Sequence, residues 1–113
     1  MTNQEFNNLI SETLQEGIEI LAKKGVEYSE EYPDRLENFK RAAALQGVTP
    51  TAALYGMLAK HSVSLAMMAQ NSRPGEYPIA QWKEKILDSI NYLLLLLGTV
   101  QEEIDDEAKR VEV

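Results

Sequence analysis

The sequence predicts an all-α protein, a four-helix bundle-like domain with a long C-terminal helix. Three observations lead to this prediction. Apolar residues recur at the 3.6-residue helical period in four segments, residues typical of helix starts and stops separate these segments, and no segment shows convincing strand alternation. The length of 113 residues suits one domain, which we place at residues 1–107, followed by a frayed C-terminal tail at 108–113.

The first predicted helix opens with Thr2 and Glu5, which have the spacing of a capping box. Its apolar residues follow at helical period: Phe6, Leu9, Ile10, Leu14, Ile18 and Leu21. Gly25 is a good helix stop, preceded by two lysines that suit the negative end of the helix dipole. We therefore expect the helix to end at Gly25, with a linker over residues 26–33.

The second and third helices are delimited by clear start and stop residues. Asp34 is the expected N-cap of helix 2, and Gly47 is its expected end. The inner face of helix 2 consists of Leu36, Phe39 and Ala43. Thr49 followed by Pro50 predicts the start of helix 3, which should run to about Gln70. Its apolar stripe consists of Leu54, Met57, Leu58, His61, Leu65 and Met68.

Helix 4 should begin near Pro78 and run to about Glu107. One face has the seven-residue repeat of helices that pack against another helix. This face, called the α4 stripe below, consists of Trp82, Ile86, Ile90, Leu93, Leu97, Val100 and Ile104. Because the segment 82–97 ends in five leucines, we expect it to be buried nearly all round. Helix 4 also has a second apolar face opposite the α4 stripe, whereas a four-helix monomer usually needs one stripe per helix. We therefore expect helix 4 to be central, or one of its faces to form an oligomer interface.

Composition excludes several classes of function. A net charge of −7 argues against binding to nucleic-acid phosphates. The chain has no cysteine and no recognisable signal peptide, which fits a cytoplasmic protein. Its longest apolar run, Leu93 to Leu97, is too short to span a bilayer. We therefore expect neither a nucleic-acid nor a membrane partner.

Polar residues inside the apolar helix 4 predict the functional site. Burial of Asp88 and Asn91 is costly unless a metal, a base or a ligand compensates. Glu84 and Asp88 lie one turn apart and can share Mg²⁺, whose preferred ligands are oxygens. Three structural alternatives stay open: Glu84 is solvated, Asp88 pairs with a basic residue, or Asn91 cross-links helices by hydrogen bonds.

Helix 3 offers a second candidate, because its apolar stripe includes the only histidine, His61. His61 would face the ligand or Asp88, and a hydrogen bond to that carboxylate would fix the ring tautomer. The alternative is a core histidine with satisfied hydrogen bonds. Lys60 adjoins it and would contact the ligand or solvent.

Helix 2 and the linker before it offer further ligand contacts. Arg35 could grip phosphate, although charged flanks of a helix are usually just solvated. Asn38 is a poor helix former that prefers a specific hydrogen bond. Tyr28 could stack on a base. These residues predict a polar hollow where helices 2, 3 and 4 meet.

Five motifs resemble a family of small phage and bacterial proteins, the nucleotide modification associated domain 1 proteins. They are Lys24…Tyr28, Arg35-Leu-Glu-Asn38-Phe39, Gly47…Pro50, Lys60-His61 and Trp82 to Tyr92. The match covers about residues 24–97. More distantly, the chain resembles the all-α nucleoside triphosphate pyrophosphatases of the MazG and dimeric dUTPase type.

The resemblance implies a helical fold, oligomerisation and a nucleotide-like ligand. MazG-type enzymes bind magnesium through glutamates at ExxE spacing on one helix and an acidic pair on a second. The nearest matches are Glu12, Glu16 and Glu19 on helix 1 and the pair Glu84 and Asp88. This pair is four residues apart rather than three, and helix 1 lacks the doubled glutamate.

Three hypotheses follow, and we favour the first because cations and acids are mixed in the motifs while glutamates are sparse. The chain would bind, and possibly sequester, a nucleotide or nucleotide-derived immune signal, in the host cytoplasm if phage-encoded, as a homodimer or larger assembly. The predicted ligand-binding residues are Arg35, Asn38, Lys60, His61, Asp88, Asn91 and Tyr28. Alternatively, it is a Mg²⁺-dependent pyrophosphatase. The predicted magnesium ligands are then Glu16, Glu19, Glu84 and Asp88. Thirdly, it is a non-enzymatic module that docks a partner helix on the α4 stripe.

Overall fold

The computed structural model describes the backbone of residues 1–31, 34–71 and 73–112, and the side chains of residues 1–27, 34–70 and 73–112. Four helices make up the fold: α1 (Asn3–Glu31), α2 (Glu37–Gln46), α3 (Pro50–Asn71) and α4 (Ile79–Glu112). No strand occurs in the described chain. The predicted all-α, bundle-like fold with a long C-terminal helix is confirmed.

Three of the predicted helix boundaries are confirmed by their hydrogen bonds. The Thr2 N–H donates to Glu5 Oε2 at 3.2 Å, and the Glu5 N–H donates to Thr2 Oγ1 at 3.1 Å. Thr49 Oγ1 accepts from the Ala52 N–H at 3.1 Å at the start of α3. Gly47 ends α2 in the left-handed conformation, with φ +69°. Each cap satisfies backbone groups that the end of a helix leaves without an intrahelical partner.

The end of α1 differs from the prediction, because the helix passes through Gly25 and continues to Glu31. A glycine ends a helix well when it takes a left-handed conformation. Among the described residues, only Gly47 and Gly75 have a positive φ. Tyr28 therefore belongs to α1 rather than to a linker.

The remaining boundary differences concern α2 and α4. The N-cap of α2 is Leu36, without a side-chain cap. Asp34 Oδ1 accepts instead from the Leu36 N–H at 2.9 Å, so that Asp34 stabilises the turn before the helix. Residues 108–112, which the sequence predicted to fray, continue α4.

The buried core lies where α3 packs along α4 and α2 packs on α3. Its buried apolar residues are Ala43, Ala53, Leu54, Leu58, Met68 and Leu87. Glu103 of α4 connects the start of α3 to this core by hydrogen bonds. Its carboxylate accepts from the Thr51 N–H at 3.0 Å and from Thr51 Oγ1 at 2.8 Å. A negative charge also suits the positive end of the α3 dipole.

The expectation that segment 82–97 is buried nearly all round is wrong. Leu93, Leu94 and Leu97 of its leucine run are all exposed. The reason is that α3 covers one side of α4 and α1 covers part of another, so a third side stays open. Despite these leucines, no helix in the described chain is long and apolar enough to cross a membrane.

Candidate functional site

A small polar hollow lies between α1, α2 and α4, with a volume of about 60 Å³. Its described lining residues are Leu21, Lys24, Arg35, Phe39, Asp88, Asn91, Tyr92 and Leu95. The sequence predicted a hollow where helices 2, 3 and 4 meet. In the structure, α1 rather than α3 supplies the third wall.

Helical spacing places the lining residues of each element on one face. On α4, Asp88 and Asn91 lie three residues apart, and Leu95 follows one turn after Asn91. On α1, Leu21 and Lys24 are likewise three residues apart. The side chains of all three elements therefore converge on one small volume.

Asn91 is the most unusual residue of the hollow. The residue is only 5% exposed, yet neither Nδ2 nor Oδ1 has a hydrogen-bond partner among the described residues. A Cβ added to Gly17 would lie 3.7 Å from Asn91 Oδ1 and 3.3 Å from Leu87 Cδ2. Glycine at position 17 thus lets α1 pack closely over this carboxamide. A buried polar group without a partner costs about 1–3 kcal/mol of stability. The Asn91 carboxamide is therefore free to form hydrogen bonds to a ligand in the hollow.

Two cations and one carboxylate share the hollow. Lys24 comes from α1 and Arg35 from the turn before α2, whereas Asp88 is half-buried on α4. A Cβ added to Gly25 would lie 3.7 Å from Arg35 Nε, so the Arg35 side chain runs beside α1. None of the ion pairs among the described residues involves Asp88. The described lining thus contains two basic residues and one acidic residue, in a chain of net charge −7.

The structure brings three of the seven predicted ligand-binding residues to the hollow: Arg35, Asp88 and Asn91. His61 lies behind it, because its ring contacts the lining residue Tyr92 at a centroid distance of 4.7 Å. Asn38 and Lys60 are exposed and do not line it. The side chain of Tyr28 lies outside the described residues.

The predicted magnesium ligands are not brought together in one chain. Glu16 pairs with Lys83 of α4 at 3.2 Å, and Glu19 accepts a hydrogen bond from Gln15. Glu84 is exposed, whereas Asp88 lines the hollow. Among the described residues, no three histidines or carboxylates form a group that could hold a metal ion. Magnesium binding by these residues stays a prediction.

A second charged cluster joins α2 to α4 away from the hollow. Lys40 forms ion pairs with both Asp34 and Glu102. The hydrogen bond from Lys40 lowers the pKa of Asp34, and the Leu36 N–H adds to this effect. The Asp34 hydrogen bond, followed by that of Glu102, raises the pKa of Lys40.

Sequence reasoning missed Lys24 as a site residue, because Lys24 was assigned to the end of a shorter helix. A signal was available: Lys24 follows Leu21 by three residues and so shares its face. Phe39 was assigned to the inner face of helix 2, and it lines the hollow together with Tyr92.

No protein-family model, curated protein or solved structure matches this chain. Its function is therefore inferred from the chemistry of the hollow.

Proposed function

We propose that the protein binds a nucleotide or a nucleotide-derived molecule at this hollow and holds it without cleaving it. The observation that carries the proposal is the buried Asn91 carboxamide, which has no hydrogen-bond partner among the described residues. It lines the same hollow as Lys24 and Arg35. A ligand that hydrogen-bonds to Asn91 would remove the cost of burying this group.

The carboxamide of Asn91 suits the edge of a nucleobase. It presents a donor and an acceptor side by side, and a base edge presents the complementary pair. Asp88 adds an acceptor for a sugar hydroxyl or an exocyclic amino group. Tyr92, backed by the ring of His61, adds an aromatic wall.

Lys24 and Arg35 supply the complementary contacts for phosphate. A guanidinium forms paired, charge-assisted hydrogen bonds to phosphate oxygens, and an ammonium adds a point charge. Both cations lie at the same hollow as Asn91. An anion carrying hydrogen-bonding groups fits this set better than a neutral apolar ligand.

The size of the hollow limits how a ligand binds. Pockets that enclose small molecules measure about 300–1,000 Å³, whereas this hollow measures about 60 Å³. One group of the ligand, a base edge or a phosphate, would therefore enter it. The remainder would lie over the opening, beside Lys24 and Arg35.

Sequestration requires tight binding and no general base, so it fits a hollow whose described lining has Asp88 as its single carboxylate. In a phage-encoded protein acting in the host cytoplasm, it would remove a nucleotide-derived immune signal. The Mg²⁺-dependent pyrophosphatase remains the alternative, with Glu16, Glu19, Glu84 and Asp88 as its metal ligands. A homo-oligomer is also part of the proposal.

Retention of intact ligand tests this function. The protein is incubated with nucleoside triphosphates and cyclic nucleotides, with and without Mg²⁺, then separated from free ligand and heat-denatured. We expect one compound to be released unchanged, and chromatography identifies it. New products that form only with Mg²⁺ would favour the pyrophosphatase, and retention of no compound would contradict nucleotide binding.

Two matched arginine variants place the ligand. Arg35→Gln removes the guanidinium at the hollow, whereas Arg41→Gln removes one that pairs with Glu37 on α2. By calorimetry, we expect Arg35→Gln to raise Kd about tenfold or more, the loss of roughly 1.4 kcal/mol of binding. Arg41→Gln should leave Kd nearly unchanged. Equal effects of the two variants would show only a general dependence on charge.

A further inference from the structure

A continuous apolar surface covers the open side of α1 and α4. On the α4 stripe, the fractional exposures of Leu93, Leu97 and Ile104 are 52%, 66% and 58%. A groove of about 370 Å³ continues this surface between α1 and α4. Among its lining residues are Phe6, Ile10, Leu14, Trp82, Ile86 and Ile90.

The chain exposes more surface than a folded monomer of its size. Its accessible surface is 8331 Å², whereas about 6,200 Å² is expected for 12.7 kDa. Its radius of gyration is 17.1 Å, against about 13 Å for a compact domain of this length. The excess of roughly 2,000 Å² per chain, or about 4,000 Å² for two chains, lies within the roughly 2,000–5,000 Å² of total surface that obligate dimers bury.

From these observations we infer that a second copy of this chain covers the α4 stripe and the adjoining face of α1. The inference does not rest on the proposed nucleotide ligand. The two α1–α4 pairs would form a four-helix bundle around a twofold axis.

The pattern of the α4 stripe favours a second copy over an unrelated partner. Two interleaved series repeat every seven residues, namely Ile86, Leu93 and Val100, and Ile90, Leu97 and Ile104. A stripe with this repeat packs knobs into holes against a helix that carries the same repeat. A twofold interface needs such a self-complementary surface. No charged residue interrupts either series.

The assembly state of the full chain tests the inference. Light scattering coupled to size-exclusion chromatography should give twice the mass of 12.7 kDa at micromolar concentrations. Leu97→Glu places a charge within the interface and should give a monomer. Met67→Glu changes a residue of similar exposure, 60%, on α3 and should leave the dimer intact. A monomeric wild-type protein would overturn the inference, as would a dimer that Leu97→Glu leaves intact.

Cysteine trapping gives an answer even if Leu97→Glu fails to fold. The chain has no cysteine, so Leu93→Cys introduces one thiol at the midpoint of the stripe. This midpoint meets its own copy in both parallel and antiparallel pairs. We expect a short bismaleimide to join two copies of Leu93→Cys but not of Met67→Cys. Absence of the covalent dimer for Leu93→Cys, or equal yields for the two variants, would place the contact elsewhere and overturn the inference.

Discussion

Buried polar groups on the two flanks of α4 differ in their hydrogen bonding. On the flank that faces α3, the Thr99 hydroxyl donates to the Leu96 carbonyl at 2.9 Å and lies 3.4 Å from Thr51 Oγ1. On the flank that faces α1, Asn91 is also buried, but within the described part of the chain it has no hydrogen-bond partner. On the α3 flank, the buried hydroxyl thus finds its hydrogen-bond partners within one chain. The α1 flank leaves unmet hydrogen-bonding capacity in the hollow and an uncovered apolar surface beside it.

This difference teaches that equal periodicity does not mean equal burial. The stripes of α1 and α3 have the same helical spacing. In α3, Leu54, Leu58 and Met68 are buried, whereas Leu14 and Ile18 of α1 are exposed. Spacing identifies the apolar face of a helix, and the neighbouring element determines whether that face is covered.

The largest expected effect on stability distinguishes a buried residue of α3 from an exposed residue of α1. Leu54→Ala should lower the free energy of unfolding by about 2–5 kcal/mol, because Leu54 is fully buried and a cavity would remain. Ile18→Ala, at a site that is 59% exposed in one chain, should cost less than about 1 kcal/mol in dilute protein. Urea denaturation measures both variants. Equal losses would contradict the distinction between the flanks.

The next effect compares the two buried polar residues of α4. Thr99→Val removes satisfied hydrogen bonds and should destabilise the protein by about 1 kcal/mol. Asn91→Leu replaces a carboxamide without partners by an apolar group of similar size, so stability should be unchanged or higher. Urea denaturation of the ligand-free variants measures the difference. A greater loss for Asn91→Leu than for Thr99→Val would mean that Asn91 is satisfied in solution.

The smallest effect concerns pH and the ion pairs of Lys40. Because the folded pKa of Asp34 is lowered, its contribution is present above its unfolded pKa of about 3.9 and is lost as pH falls through the folded value. The raised pKa of Lys40 makes stability depend on pH in the opposite direction. Its contribution is present below the unfolded pKa of about 10.4 and is lost as pH rises through the folded value.

Asp34→Asn should therefore lower stability at neutral pH by at most about 1 kcal/mol, since the pair is partly exposed. The variant and the wild type should converge as pH falls below the ordinary aspartate pKa. Thermal unfolding across this acid range measures the convergence. Asp105→Asn, at an exposed site on α4, is the control. A constant difference down to the lowest pH would contradict the linkage.

Much of the fold was predictable because its signals are local. Thr2 with Glu5, Thr49 with Pro50, and Gly47 all act within a few residues, and all three boundaries are confirmed. The end of α1 was predicted wrongly. A glycine ends a helix well in the left-handed conformation, which Gly25 does not adopt.

The candidate site was predictable in part. Asp88 and Asn91 stood out as polar residues within an apolar helix, and both line the hollow. Lys24 was missed and Asn38 does not line the hollow, because helical spacing gives the face of each residue but not the neighbour that this face meets.

The sequence alone determined four helices, three of their boundaries and which face of each helix is apolar, because period and capping act through nearby backbone and side-chain groups. Only the tertiary structure decided that α1 rather than α3 closes the hollow, that Asn91 is buried without a partner among the described residues, and that much of the α4 stripe is exposed. These features depend on how helices distant in sequence cross, and no local pattern encodes that geometry.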